Sequence, residues 1–162
     1  MPEHNIPAEY GPFSRILILG SFPSVRSREE GFFYAHPRNR FWRVIASLTG
    51  REVPCRVEEK KRLLSESGIA LWDVISSCEI DGSSDSSIRN ALPNDIGRIL
   101  KEAPVRAVFT NGKKAHELYV KHILPSTGRE DICLPSTSAA NASYSMEMLL
   151  SEWSVIGKYL KE

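Results

Sequence analysis

The side chains best suited to chemistry in this chain are mostly polar and uncharged. They are His36, Asn39, Asn111, Ser136, Thr137, Ser138 and Asn141, accompanied by the aromatics Phe22, Phe32, Phe33 and Tyr34. Such a set suits recognition of a flat heterocycle: aromatic faces stack on the ring, while amides and hydroxyls read its edge. Between Arg26 and Arg43 the chain carries five arginines against Glu29 and Glu30, with aromatics interleaved. A local basic and aromatic segment can bind phosphate and stack on bases even though the whole chain, at +1, is nearly neutral.

Other chemistries lack their residues. There is no Gly-x-Gly-x-x-Gly, no Walker loop and no Gly-x-Ser-x-Gly elbow. His4, His36, His116 and His122 lack metal-ligand spacing. Cys55, Cys78 and Cys133 are odd in number and far apart, which argues against disulfide, zinc and iron–sulfur sites alike. No metal and no cofactor is expected. Met1-Pro2-Glu3-His4 begins no secretory signal, and the longest apolar run, Ile16-Leu17-Ile18-Leu19, is too short to span a bilayer. A cytoplasmic location, no membrane association and a monomer are the expectations.

The elements that must position these side chains follow from apolar patterning. Arg15 to Gly20 reads as a strand buried on both faces. Ser21 to Asn39 reads as a loop, and Asn39 as an N-cap for a helix starting near Arg40 and stopped by Gly50. Val57 to Ser67 reads as a second helix ended by Gly68. Ile69 to Ile75 reads as a second strand, and Ser76 to Ser87 as a long polar loop. Asn94 is expected to cap the next helix. Val105 to Thr110 is expected as a third strand, with a helix after Asn111-Gly112. Asp131 to Leu134 is a fourth strand, and Ser143 is expected to cap the final helix. Alternating strands and helices predict one α/β domain over residues 1–162, a three-layer α/β/α stack around a central four-stranded parallel sheet. Ligands of such sheets bind outside the carboxyl ends of the strands.

The segment Gly31-Phe32-Phe33-Tyr34-Ala35-His36-Pro37-Arg38-Asn39-Arg40-Phe41-Trp42 closely resembles the motif after the first strand of mismatch-specific uracil/thymine-DNA glycosylases. Leu19-Gly20-Ser21-Phe22-Pro23-Ser24 matches the first motif of the uracil-DNA glycosylase superfamily in place. Leu134-Pro135-Ser136-Thr137-Ser138 resembles its second motif, the loop that enters the minor groove, and Gly68-Ile69-Ala70-Leu71-Trp72-Asp73 matches the strand carrying a base-reading residue. Two departures matter. Phe22 stands where the relatives keep a catalytic Asn or Asp, and Leu134 stands where the uracil-specific enzymes keep a His. This combination resembles the deoxyinosine (hypoxanthine)-DNA glycosylase branch, whose catalytic Asn maps to Asn39.

The resemblance implies monofunctional hydrolysis of a damaged base from double-stranded DNA after base flipping. Asn39 is the expected catalytic residue, holding the attacking water through its side-chain carbonyl. The expected base pocket comprises Phe22, Tyr34, His36, Asp73, Asn111 and Gly112. Tyr34 would stack on the base, Asp73 would accept from the N1–H of hypoxanthine, and backbone N–H groups near Phe22 or Asn111-Gly112 would serve O6. DNA contacts are expected from Ser24, Arg38, Pro135, Ser136, Thr137, Ser138 and Asn141. The alternatives are a uracil, thymine or etheno-base enzyme, a catalytically silent lesion-DNA-binding relative, and a hydrolase of free nucleosides.

Overall fold

A computed structural model describes residues 6–161; Met1-Pro2-Glu3-His4 lies outside the described residues. Four parallel strands form the central sheet: β1 (Ile16–Gly20), β2 (Ile69–Asp73), β5 (Ala107–Asn111) and β6 (Asp131–Leu134), in the order β2-β1-β5-β6. Every residue of β1, β2 and β5 is buried, as continuous apolar runs covered on both faces must be. Helices flank the sheet. They are α1 (Val25–Glu30), α2 (Phe41–Thr49), α3 (Val57–Ser67), α4 (Ile96–Glu102), α5 (Lys113–His122), α6 (Leu124–Thr127), α7 (Met146–Trp153) and α8 (Gly157–Leu160). Helix α3 packs on β2, α5 on β5 and β6, and α7 against α2. None of the described helices is long and apolar enough to cross a membrane.

Register sets the site. Gly20 pairs with Asp73, Thr110 pairs with both Leu19 and Cys133, and Asn111 pairs with Leu134. The carboxyl ends of all four strands therefore lie along one edge, and the loops leaving them converge there.

The structure redraws several boundaries and adds elements. The second strand stops at Asp73, not Ile75. Val74 N–H donates to the Gly20 carbonyl (2.8 Å) and Ile75 N–H to the Ser21 carbonyl (3.1 Å), so the chain leaves the sheet across the end of β1. The expected loop from Ser76 to Ser87 is then largely a hairpin arm. Strand β3 (Ile75–Glu79) pairs antiparallel with β4 (Arg89–Pro93), and a 3-10 turn at Asp85–Ser87 sits near its tip. Asn94 is a brace, not the cap of α4. Its amide donates to the carbonyls of Asp73 (2.9 Å) and Ile75 (3.3 Å), holding the bend between β2 and β3, while Asp95 caps α4. Ser145 caps α7 in place of Ser143. The loop expected from Ser21 to Asn39 contains α1, capped by Ser24, whose Oγ accepts from Ser27 N–H at 3.1 Å.

Candidate active site

A pocket of about 330 Å³ opens at the carboxyl edge of the sheet, within the range of small-molecule sites. Gly20 and Asp73 lie at its base, Tyr34 and Phe22 on its wall, and Ser136 and Ser138 toward its mouth. Gly20 is required there. A Cβ on it would collide with Asp73 Oδ1 and press on the Tyr34 hydroxyl, so only glycine lets both groups approach the end of β1.

Tyr34 is held in an uncommon conformation. Its φ of 52° lies in the left-handed region, which a bulky residue enters at a cost of about 1 kcal/mol or more. The peptides on either side are pinned: the Trp42 indole donates to the Phe33 carbonyl (3.2 Å), and Ala35 N–H donates to Ser27 Oγ (3.1 Å). One ring face stacks on Phe41 at 4.1 Å and 21°. Phe41 and Trp42 are themselves core residues of α2. The Asn111 side chain lies beside the buried Tyr34 hydroxyl, which makes no hydrogen bond of ordinary geometry among the described residues. Burial, reinforced by the charge of Asp73, pushes its ionisation well above the ordinary phenol range. It stays a neutral donor at any working pH.

Asn39 lines the pocket and stands one residue before Arg40, which takes the N-cap position of α2 expected of Asn39. Its Oδ1 accepts from Phe41 N–H (2.9 Å) and from Thr137 Oγ1 (2.8 Å). The Phe41 amide can only donate, which fixes the orientation of the Asn39 side chain. Both lone pairs of the carbonyl are occupied. The expectation that this oxygen holds water is therefore corrected: the group Asn39 can offer a ligand is its Nδ2 amine.

Thr137 closes this lock. It is fully buried, accepts from Asn111 Nδ2 (3.0 Å), and donates its own N–H to Asn111 Oδ1 (3.0 Å). Asn111 and Thr137 both line the pocket, and their side chains pair with each other, Thr137 also with Asn39. Gly112 is a second correction. Its N–H donates to the Leu134 carbonyl (2.8 Å), leaving none for a base oxygen. It does not line the pocket; its missing Cβ admits Ser136.

The remaining expected residues spread around the mouth. His36 is exposed at the rim, its Nδ1 accepting from Arg38 N–H (3.1 Å). Arg38 is exposed and outside the pocket. Ser24 lines the pocket while capping α1. Ser136 Oγ accepts from Ser138 N–H (3.1 Å) and Ser138 Oγ from Ala140 N–H (3.2 Å), so each hydroxyl keeps its proton for an outside acceptor. Pro135 and Asn141 line a neighbouring groove. The Pro135 carbonyl is held by the Trp153 indole (2.9 Å), and Asn141 Nδ2 donates to the Ser136 carbonyl (3.0 Å).

Two residues that shape the site escape the sequence reading. Arg40 reads as one more basic side chain in a cluster, yet it clamps the loop from Pro135 to Tyr144. Its N–H donates to the Thr137 carbonyl (3.0 Å). Its guanidinium reaches the carbonyls of Thr137 (3.4 Å), Ser138 (3.0 Å), Asn141 (3.2 Å) and Tyr144. Asp85 lies in a stretch of serines that reads as plain loop. It comes back over the pocket, and its Oδ1 accepts from Ser21 Oγ at 2.7 Å. Only the unusual length of that loop signals it.

Among the described residues no cluster of three or more metal-ligating side chains occurs. The arrangement supplies an acceptor (Asp73), an amide donor (Asn39), an aromatic wall (Tyr34) and a hydroxyl-bearing mouth.

Residues 7–156 match the family model described as the uracil DNA glycosylase superfamily. A protein named hypoxanthine DNA glycosylase from Methanosarcina acetivorans is 34% identical over 161 residues, covering 98% of this chain and 100% of its own. One of the same name from Methanosarcina barkeri is 32% identical over 143 residues, covering 87% and 89%. The solution NMR structure of a uracil DNA glycosylase candidate from M. acetivorans superposes with a TM-score of 0.82 at 35% identity, covering 96% of each chain.

Proposed function

Since the chain belongs to the uracil DNA glycosylase superfamily, we propose that it hydrolyses the N-glycosidic bond of a deaminated base in duplex DNA, and that the base is hypoxanthine. The observation that carries this reading is the pairing of Asp73 with Asn39 in one pocket. Hypoxanthine presents N1–H as a donor and O6 and the ring nitrogens as acceptors. The Asp73 carboxylate takes the N1–H, and Asn39 Nδ2 donates to an acceptor on the departing base. Adenine presents the opposite pattern at N1 and N6, so it would set a lone pair against the Asp73 carboxylate. The names of the Methanosarcina relatives point to the same base.

The flipped nucleotide enters between Tyr34 and the mouth of the pocket, at an unstacking cost of a few kcal/mol that is smaller for a mispaired base. Tyr34, its rear face packed on Phe41, stacks on the base. The Pro135 to Asn141 loop lies in the minor groove, and Ser136 and Ser138 donate to phosphate oxygens. As the bond to the sugar breaks, negative charge grows on the base. A donor already locked in place by Phe41 and Thr137 stabilises that charge without reorganising.

The test is a panel of duplexes carrying hypoxanthine, uracil, xanthine or ethenocytosine. Hypoxanthine is released fastest by the wild type, and Asn39→Ala lowers that rate by about 100-fold or more, as loss of an oxyanion-type donor does. Preferential release of uracil would overturn the substrate assignment. Full activity of Asn39→Ala would overturn the role of Asn39. Tight binding of lesion DNA without an abasic product would identify a silent binder instead.

A further inference from the structure

The loop that follows β1, Ser21-Phe22-Pro23-Ser24, carries no carboxylate of its own. A carboxylate reaches that loop from elsewhere. Asp85, near the tip of the β3–β4 hairpin, accepts from Ser21 Oγ at 2.7 Å, one residue from Phe22. The tip is latched to α1. Val25 N–H donates to Ser83 Oγ (3.0 Å), and the Arg28 guanidinium donates to the Gly82 carbonyl (2.9 Å) while lying 5.2 Å from the centroid of the Phe22 ring. The hairpin tip is exposed, Asp85 included, and the Asp85 carboxyl borders the same pocket as Asn39, Tyr34 and Asp73. One oxygen is fixed by Ser21, and Oδ2 is uncommitted among the described residues.

We propose that Asp85 is the second catalytic residue of this site, the carboxylate that orients the attacking water and accepts its proton. The inference rests on the glycosylase reading above and assigns the step which Asn39, with its carbonyl occupied, cannot perform. As the C1′–N9 bond breaks, its electron pair leaves with the base. The water oxygen bonds to C1′, and one water proton passes to Asp85 Oδ2. That proton then goes to the expelled base. Deoxyinosine in DNA and water become an abasic sugar and neutral hypoxanthine, with no further reactant.

The pocket's two carboxylates are thereby given different tasks. Asp73 sits at the closed end of the pocket beside Gly20 and Tyr34, suited to reading the base. Asp85 is brought to the pocket by an element outside the central sheet. Desolvation raises the Asp85 ionisation first and the charge of Asp73 adds to it; the Ser21 hydrogen bond and Lys114 on α5 pull the other way. Tyr34 and His36 are the other titratable groups on the pocket. A carboxyl raised from its ordinary value is a better proton acceptor near neutral pH than a free one.

The experiment is single-turnover excision across a pH series for wild type, Asp85→Asn and Ser21→Ala, on whichever duplex of the panel the wild type cleaves. Lesion-duplex affinity and thermal denaturation are measured alongside. Asp85→Asn should lower the rate by about 100-fold with affinity and melting temperature unchanged. The wild-type rate should fall with acid as the carboxylate protonates, and the variant should lose that acid limb. Ser21→Ala removes a hydrogen bond to the charged form, so its acid limb should move to higher pH. A wild-type rate and limb in Asp85→Asn would overturn the inference while leaving the glycosylase reading intact. If Asp85→Asn fails to fold, an unmoved limb in Ser21→Ala overturns it. A wild type that releases no base from any duplex overturns both.

Discussion

Thr137 joins the two asparagines that the site depends on. Its hydroxyl donates to Asn39 Oδ1 and accepts from Asn111 Nδ2, with no exposure to solvent. Replacing it with valine keeps the shape and removes both bonds, leaving Asn111 Nδ2 buried without a partner. Thr137→Val should cost about 1–3 kcal/mol in a denaturation experiment. It should also slow excision by releasing the Asn39 amide from its fixed orientation. Tyr34 behaves oppositely. Its hydroxyl is buried with no hydrogen bond of ordinary geometry among the described residues, so Tyr34→Phe should leave stability unchanged or raise it by about 1 kcal/mol and keep excision, because the ring does the stacking. A Tyr34→Phe enzyme that folds well but no longer excises would show that the hydroxyl touches the base. The residue types were legible in the sequence: Asn39, Tyr34 and Asp73 were all named for the pocket and all line it. Their internal pairings were not. A side chain's type tells which bonds it can make, not which neighbour has already claimed them: Asn111 lines the pocket as expected, but its pairing with Thr137 and the commitment of the Gly112 N–H could not be read.

At the scale of elements, the loop from Pro135 to Tyr144 has no regular structure and is shaped by one cation. Arg40 reaches four of its carbonyls from the start of α2. Lysine has three donors on a flexible stem and no planar fork, so Arg40→Lys satisfies fewer of these acceptors at once. The expected outcome is faster proteolysis and hydrogen exchange confined to residues 135–144, together with weaker binding of duplex. A uniform rise in exchange over the whole chain would mean that Arg40 supports the core instead. The hairpin shows why some elements could be read and others not. Strands β1, β2 and β5 are unbroken apolar runs and announce themselves. Strands β3 and β4, Ile-Ser-Ser-Cys-Glu and Arg-Asn-Ala-Leu-Pro, lack such a run, and β4 is almost entirely exposed. Polar serines and glycine between them resemble loop because they earn no place in a core. What holds the arm is the Asn94 brace at its base and the latch from Ser83 and Gly82 to α1 at its tip.

The whole molecule carries a net charge of only +1, so its hold on a polyanion must come from placement of charge, not from its sum. The parallel sheet order and its register gather the loops at one edge, and alternating apolar strands and helices made that much predictable. Which cations face DNA was less so. Of the basic cluster, Arg40 points into the protein, Arg26 pairs with Glu30 (2.9 Å), and Arg28 is tied to Gly82. Arg38, beside the pocket rim next to His36, is exposed. Lys113 on the neighbouring groove and Lys114 near Asp85 add to Arg38, so a few phosphates would be neutralised and the salt dependence of binding should be moderate. Each phosphate contact contributes a slope of roughly −0.9 in log affinity against log salt. Arg38→Ala should therefore weaken binding of lesion and undamaged duplex alike and make the slope shallower by about one, while the single-turnover excision rate at saturating enzyme is kept. An unaltered slope would place Arg38 off the DNA path. A fall confined to lesion duplex would instead make it part of base recognition, because a phosphate contact carries no sequence information and cannot discriminate.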